Sequence, residues 1–356
     1  MAANAVAAAP PLWTLVEWPA MRWILFALVL AGCGSHADFE SGLREKGFSG
    51  AALVARKGVI LHQAAMGFAD EEARLPNTLQ TRFRIGSNTK LFTAMAVLLL
   101  QEEGKLRTGD SVCLHVPDCP AAWQPVTLEQ LLLHSSGIPD YTNFDEFPSV
   151  IGTPATTAAL VARFRDLPLQ FTPGSRWSYT NSGYVLLGYL IERASGQAYG
   201  EFLHDRIFAP LQMADTGIEG SGIATGYLRP GLKPVHLDMS EFAAAGALYS
   251  TVADLLRWDQ ALLTGAIASK ASLDTMLTAH IACPAGGCLL PSDQGYGYGW
   301  FIANPAGRHY IYHWGHIDGY FSSNGFYRAE GLSVIVLSNL ETVDAFGLSV
   351  QLGALN

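Results

Sequence analysis

Ser87 and Lys90 stand three residues apart in Ser87-Asn88-Thr89-Lys90, the one Ser-x-x-Lys of the chain. At the start of a helix this spacing puts both side chains on one face, a turn apart. A serine hydroxyl is a weak nucleophile until a base takes its proton, and an ammonium group in water cannot do so. Burial at the mouth of an apolar helix disfavours the charged lysine, lowers its pKa and makes it a proton acceptor. The Ser87 amide, at a helix N-terminus, is also placed to donate to a developing oxyanion. The chemistry expected is acyl transfer to Ser87 from an ester or amide. The same four residues also fit a serine N-cap followed by a lysine whose stem lies along the surface. Only the surroundings separate the two.

The elements that must position these residues are readable on either side. Residues 91–100 are apolar on nearly every face, which predicts a helix inside the protein, closed by Gly104. A polar stretch around 36–46 reads as a first helix. Residues 51–55 and 59–61 read as two strands flanking Lys57-Gly58. Residues 108–264 are broken by Pro and Gly into short helical stretches, among them 128–133, 182–194 and 252–263. From Gly295 the pattern returns to strands, at 297–303, 309–314, 320–327 and 332–337, followed by a short helix at 343–352. Strands from both ends must therefore share one sheet. The expected fold is an α/β sandwich, a mainly antiparallel sheet flanked by helices, with an inserted and mostly helical lobe over roughly residues 108–264. No Gly-x-Ser-x-Gly occurs, so an α/β-hydrolase elbow is not supported.

Composition bounds the rest. Of 356 residues 49% are apolar and 15% charged, enough apolar material for a substantial core and too little charge for a disordered chain. The net charge of −9 argues against nucleic acid or an anionic membrane surface as partner. A small-molecule or peptide substrate fits it; oligomeric state is not legible. Arg22 precedes an apolar run, residues 23–31, too short to span a bilayer but of signal-peptide length. Residues 1–32 are therefore read as a signal peptide, with Met21 a candidate true start because the stretch before it fits no signal. The run ends in Leu30-Ala31-Gly32-Cys33, which resembles the lipobox of bacterial lipoproteins, where the cysteine carries the lipid. The expectation is an exported, periplasmic protein touching the membrane only through a lipid on Cys33, with residues 33–356 as one two-lobed domain. A plain signal peptide with an incidental Cys33 is the alternative.

Four other cysteines form two local pairs, Cys113 with Cys119 and Cys283 with Cys288. An even count in an exported chain predicts two short-loop disulfides. A zinc site is the rival, but neither pair has Cys-x-x-Cys spacing or a histidine at ligand distance beside it. No metal or organic cofactor is expected.

Further motifs recur in order. Tyr179-Thr180-Asn181 lies in a stretch rich in Pro, Gly and aromatic residues, and His313-Trp314-Gly315 lies on a strand pattern followed by Gly319-Tyr320. His134-Ser135-Ser136-Gly137 precedes Ile138-Pro139-Asp140-Tyr141, Gly246 opens a turn into Leu248-Tyr249-Ser250, and Tyr296-Gly297-Tyr298-Gly299-Trp300 begins the C-terminal strands. This arrangement resembles the serine β-lactamase and penicillin-binding-protein superfamily. It is most similar to the class C-like branch, which also holds DD-peptidases, D-amino-acid amidohydrolases and esterases. The matches span residues 49–339.

The resemblance implies Ser87 as nucleophile and Lys90 as its proton acceptor. It implies that Tyr179 carries protons to the leaving group and that Asn181 bonds Lys90 and the substrate. His313, Trp314 and Gly315 would form the cleft wall on a strand, and the backbone amide of His316 would join that of Ser87 as an oxyanion hole. A lone histidine on a strand is more often a packed residue. His134 is read as bracing its loop; His36, His62, His115, His204, His236, His280 and His309 show no metal spacing. One departure bears on substrate. Family members that cleave β-lactams or D-alanyl peptides carry a hydroxyl at the middle of the third motif, where this chain has Trp314. A weakened grip on a substrate carboxylate is expected, and it favours neutral esters or D-amino-acid amides. A true β-lactamase or D-alanyl-D-alanine carboxypeptidase is the second expectation, supported by the export signal and His313. A non-catalytic cell-wall-binding lipoprotein is the third.

Overall fold

The computed structural model describes residues 36–284, 289–290 and 293–356. The expected signal peptide, Met21, Cys33 and Cys288 lie outside the described residues. Seven strands form one antiparallel sheet. The first two, β1 (Gly50–Arg56) and β2 (Val59–Met66), meet at Lys57-Gly58 with φ of 50° and 81°. Two positive φ angles in a row are what a tight hairpin between right-twisted strands needs. The other five are β3 (Asp293–Tyr296), β4 (Phe301–Ala303), β5 (Tyr310–Ile317), β6 (Tyr320–Tyr327) and β7 (Leu332–Ser338). In the sheet they run β2-β1-β7-β6-β5-β4-β3. The first strand thus pairs with the last, Gly50 opposite Ser338 through Arg56 opposite Leu332.

Alternate residues of these strands feed two cores, as the two-residue period of a strand demands. Ala51, Leu53, Ile335 and Leu337 face the inserted lobe. Ala52, Val54, Val334 and Val336 face the terminal helices α1 (His36–Glu45) and α5 (Ala345–Leu355). On the lobe side lie α2 (Thr89–Glu102), α3 (Asn181–Ser195) and α4 (Val252–Thr264). Every residue of α2 from Thr89 to Leu100 is buried, as an all-round apolar sequence requires. Gly104, at φ 73°, follows its end. Helix α4 starts on a Thr251 side-chain cap and stops at left-handed Gly265.

One detail differs from expectation. The stretch 297–303 is not one strand: β3 ends at Tyr296, and Gly297-Tyr298-Gly299-Trp300 turns the chain before β4, with Gly299 at φ 82°. Its aromatic residues mimic strand alternation, but a Cβ on Gly299 would lie 3.0 Å from the Lys90 carbonyl oxygen, so the position is a close approach. The inserted lobe has the long loops expected between its short helices. Residues 165–180 and 209–238 contain no helix and run as long loops over the α2–α3–α4 core.

Candidate active site

Ser87 sits in a single 3-10 turn, Gly86–Asn88, that leads directly into α2. Hydrogen bonds pin the turn from three sides. The Ile85 amide donates to the Leu248 carbonyl (3.0 Å), Asn88 Nδ2 donates to Ser322 Oγ (2.8 Å), and Ser322 Oγ donates to the Ile85 carbonyl (2.7 Å). Strand β5 presses against it. A Cβ on Gly315 would fall 1.9 Å from the Ile85 oxygen, and one on Gly86 (φ 51°) would fall 3.0 Å from the His316 nitrogen. Only glycine allows backbones that close, which explains both residues in their motifs. The amides of Ser87 and His316 are thereby carried on abutting segments.

Lys90 is fully buried. Its Nζ lies 3.1 Å from Ser87 Oγ, 2.9 Å from Asn181 Oδ1 and 2.7 Å from the Ala245 carbonyl oxygen. The surface-lysine alternative is therefore wrong: the amine points inward, and Ser87 does not cap the helix. Burial lowers the Lys90 pKa to about 7, against the opposing pull of the Asp140 carboxylate. At neutral pH a substantial fraction is uncharged, the state that can take a proton from Ser87.

Tyr179 lies two residues before α3; burial raises its pKa above the ordinary phenol value, and interaction with the Ser87 hydroxyl works against that rise. Its ring centre is 4.9 Å from Lys90 Nζ. Asn181 opens α3, and its orientation is set by a residue that sequence reasoning did not assign. The Asn181 backbone amide donates to Asp140 Oδ2 (3.1 Å), and Asn181 Nδ2 donates to Asp140 Oδ2 (3.3 Å) and Thr142 Oγ1 (3.2 Å). With its amide nitrogen held this way, Asn181 must turn Oδ1 toward Lys90. Asp140 also accepts from the Thr142 amide and hydroxyl, and burial raises its pKa. The available signal was an aspartate inside an otherwise apolar motif, Ile138-Pro139-Asp140-Tyr141.

The third motif divides between the faces of the sheet. His313 is buried on the side of Ser87, and its Nε2 lies 3.2 Å from the Tyr296 hydroxyl. Burial, with Lys90 adding to it, lowers its pKa to about 3. An imidazole held this way is uncharged at neutral pH and does not offer a cation to a substrate carboxylate. Trp314 faces the other way. It opposes Ser323, whose hydroxyl bonds Ser349 of α5, and its indole packs edge-on against Phe321 at 5.8 Å between ring centres. The expectation that Trp314 weakens the carboxylate grip from inside the cleft is corrected, since the side chain packs against the core behind the sheet. His316 is exposed, and its Nε2 lies 2.9 Å from a Glu341 carboxylate oxygen.

A cavity of about 310 Å³ opens beside these segments, lined by Arg84, Thr225, His236, Ile317, Asp318 and Tyr320 among others. Cys113 is bonded to Cys119 with 5.2 Å between Cα atoms. Cys283 is also disulfide-bonded, and its expected partner Cys288 lies outside the described residues. Among the described residues no group of three His, Cys, Asp or Glu side chains could hold a metal ion.

The Beta-lactamase family model matches residues 36–350. The putative penicillin-binding protein PbpX of Bacillus subtilis is 32% identical over 310 residues, covering 84% of this chain and 72% of that protein. Among solved structures, a penicillin-binding protein from Bacillus halodurans superposes with a TM-score of 0.78 at 28% identity, covering 89% of this chain and 99% of that one. A D-stereospecific amidohydrolase from a Streptomyces species gives 0.75 at 27% identity, covering 89% and 98%. With the match running from the first described helix almost to the end of the last, this chain belongs to the beta-lactamase family of serine hydrolases.

Proposed function

We propose that the protein forms an acyl-enzyme on Ser87 and hydrolyses esters and amides whose leaving group bears no carboxylate, D-amino-acid amides foremost. One observation carries this reading: a buried Lys90, at about pKa 7, lies 3.1 Å from Ser87 while the neighbouring His313 is held neutral. Neutral Lys90 takes the Ser87 proton as Oγ bonds the substrate carbonyl carbon. The carbonyl oxygen becomes an oxyanion facing the Ser87 and His316 amides. Tyr179 gives a proton to the departing amine or alcohol as the C–N or C–O bond breaks, and the proton held on Lys90 replaces it. Water then attacks the ester. Tyr179 and Lys90 take its proton, and Ser87 leaves with one restored.

With His313 neutral there is no cation on the third motif to hold a leaving-group carboxylate. The amidohydrolase likeness agrees with an amide substrate. The second reading, a β-lactamase or D-alanyl-D-alanine carboxypeptidase, draws on the penicillin-binding relatives and on Trp314 pointing out of the cleft. A non-catalytic wall-binding protein has no use for a desolvated lysine beside a serine. The same reading carries export and lipidation on Cys33 as part of the proposal.

The test combines labelling and turnover. Wild type should be labelled by a fluorophosphonate and Ser87→Ala should not; undiminished labelling of the variant would move the nucleophile elsewhere. Turnover of p-nitrophenyl butyrate, D-phenylalanine amide, nitrocefin and a D-alanyl peptide on one preparation then ranks the two substrate readings. Faster hydrolysis of nitrocefin or the peptide than of the neutral substrates would put the second reading first.

A further inference from the structure

Tyr179 must keep its place beside Ser87, yet it lies in a long loop that no regular element holds. What grips it is His134. This residue, in the left-handed conformation at φ 54°, accepts the Ser178 amide on its own carbonyl (2.8 Å) and the Thr180 amide on its Nδ1 (3.2 Å). Between those two bonds its ring stacks on that of Tyr179, 4.2 Å between centres and 29° between planes. Both neighbours of Tyr179, and Tyr179 itself, are thus held by one imidazole-bearing residue.

The other end of that imidazole leads across the cleft floor. His134 Nε2 lies 3.3 Å from the Tyr296 hydroxyl, that hydroxyl lies 3.2 Å from His313 Nε2, and His313 Nδ1 lies 2.5 Å from the Trp314 carbonyl oxygen. The chemistry of the end groups fixes every proton between them. A carbonyl can only accept, so His313 carries its proton on Nδ1 and Nε2 is left as an acceptor. Tyr296 must then donate to it. At the opposite end a backbone amide can only donate, so His134 Nδ1 accepts from Thr180 and the proton sits on Nε2, donated to the Tyr296 oxygen. Tyr184, whose hydroxyl donates to the Leu132 carbonyl (2.9 Å), flanks the same tyrosine. A second proton on His134 Nδ1 would face the Thr180 amide donor, and one on His313 Nε2 would displace the hydroxyl proton that Tyr296 donates there. Burial and the nearby Lys90 act in the same direction, and Asp140 is the carboxylate that offsets Lys90.

We propose that His134 and Tyr296 are positioning residues, which with His313 form one buried, uncharged strut fixing Tyr179 and Asn181 relative to the third motif. The inference deepens the serine-hydrolase reading and rests on it for its effect on rate. It links segments far apart in the chain, since His134 and Tyr296 are separated by 162 residues. A misplacement of about 1 Å in such a site costs on the order of a hundredfold in rate, which is why a rigid connection matters.

The strut predicts opposite tautomers, and these are observable without any turnover. Side-chain 1H–15N spectra of the 15N-histidine-labelled chain, assigned with His134→Gln and His313→Gln, should show His313 protonated on Nδ1 and His134 on Nε2. Neither should titrate between pH 8 and 5. The same tautomer at both sites, or protonation of either in that range, overturns the proposal. Tyr296→Phe removes both central bonds. It should lower kcat for p-nitrophenyl butyrate by about 10–100-fold, leave KM within about threefold, and change the His313 tautomer signal. Unchanged kcat in a folded variant would reduce the strut to packing. If Tyr296→Phe does not fold, the wild-type tautomers still decide. If Ser87 proves not to be the nucleophile, the tautomers stand while the claim on rate falls.

Discussion

The two faces of strand β5 bury different things. Toward Ser87 it presents His313 and Gly315, and its neighbour β6 presents Ser322 and Asn324, the last bonded to the buried carboxyl of Asp259 on α4 (2.9 Å). Toward the terminal helices it presents Tyr310, Tyr312 and Trp314. There Tyr310 stacks on Tyr312 and Tyr327 at 5.1 and 4.6 Å, and Tyr312 meets Phe346 at 4.9 Å. The far face is stabilised by burying aromatic surface. The cleft face keeps polar and ionisable groups out of water, which costs stability unless each is bonded. A one-residue step along the strand therefore moves a side chain from chemistry to packing.

Substitutions on the two faces should separate activity from stability. The largest effect is expected at Lys90. Lys90→Met should lower kcat/KM by about a thousandfold or more, as for groups that act together. In the wild type the reactive form is the uncharged amine, so kcat/KM should climb as pH rises through about 7 and level off above it. A profile flat from pH 6 to 8.5 would remove Lys90 from the proton path. On the far face, Trp314→Thr should cost about 1–3 kcal/mol in urea unfolding and change kcat/KM by no more than about threefold. A hundredfold loss of activity at full stability, or the appearance of β-lactam hydrolysis, would show that the faces are not separate.

The smallest effect is expected at Asp259, which lies on the lobe side away from Ser87. Burial raises its pKa to about 8 from an ordinary 3.8. Its contribution to folding is thus complete below about pH 4 and lost as pH rises through 8. Asp259→Asn keeps an acceptor for Asn324 and removes that dependence. It should be more stable than wild type at pH 8, with the gap closing toward pH 4 and activity unchanged. A variant whose advantage over wild type is the same at pH 5 and pH 8 would contradict the raised Asp259 pKa.

Much of this was legible beforehand because it depends on local pattern. Helix α2 was readable from nine apolar residues among ten, β6 from its bounding turn residues, and Ser87 with Lys90 from their spacing only when read together with the later motifs. What escaped depends on which face of an element a residue takes. Trp314 was placed in the cleft by its motif, yet strand alternation beside His313 already requires the opposite side. The low pKa of His313 was not legible because sequence carries no burial. Asp140 and Tyr296 escaped because each acts on a group distant in the chain, and nothing in single-sequence spacing marks such a partner.

The pairing of β1 with β7 has a consequence in time. The Ser338 hydroxyl donates to the Ser49 carbonyl across 289 residues of chain. At a synthesis rate of about 5–20 residues per second, the partner of the first strand appears roughly 15–60 s after the strand itself. Until then β1 and β2 are an isolated hairpin, and hairpins alone are marginal in water. The sheet at the centre of the molecule therefore cannot be completed before Leu332–Ser338 has been made, and a chain truncated before Leu332 lacks the strand that joins β1 to β6.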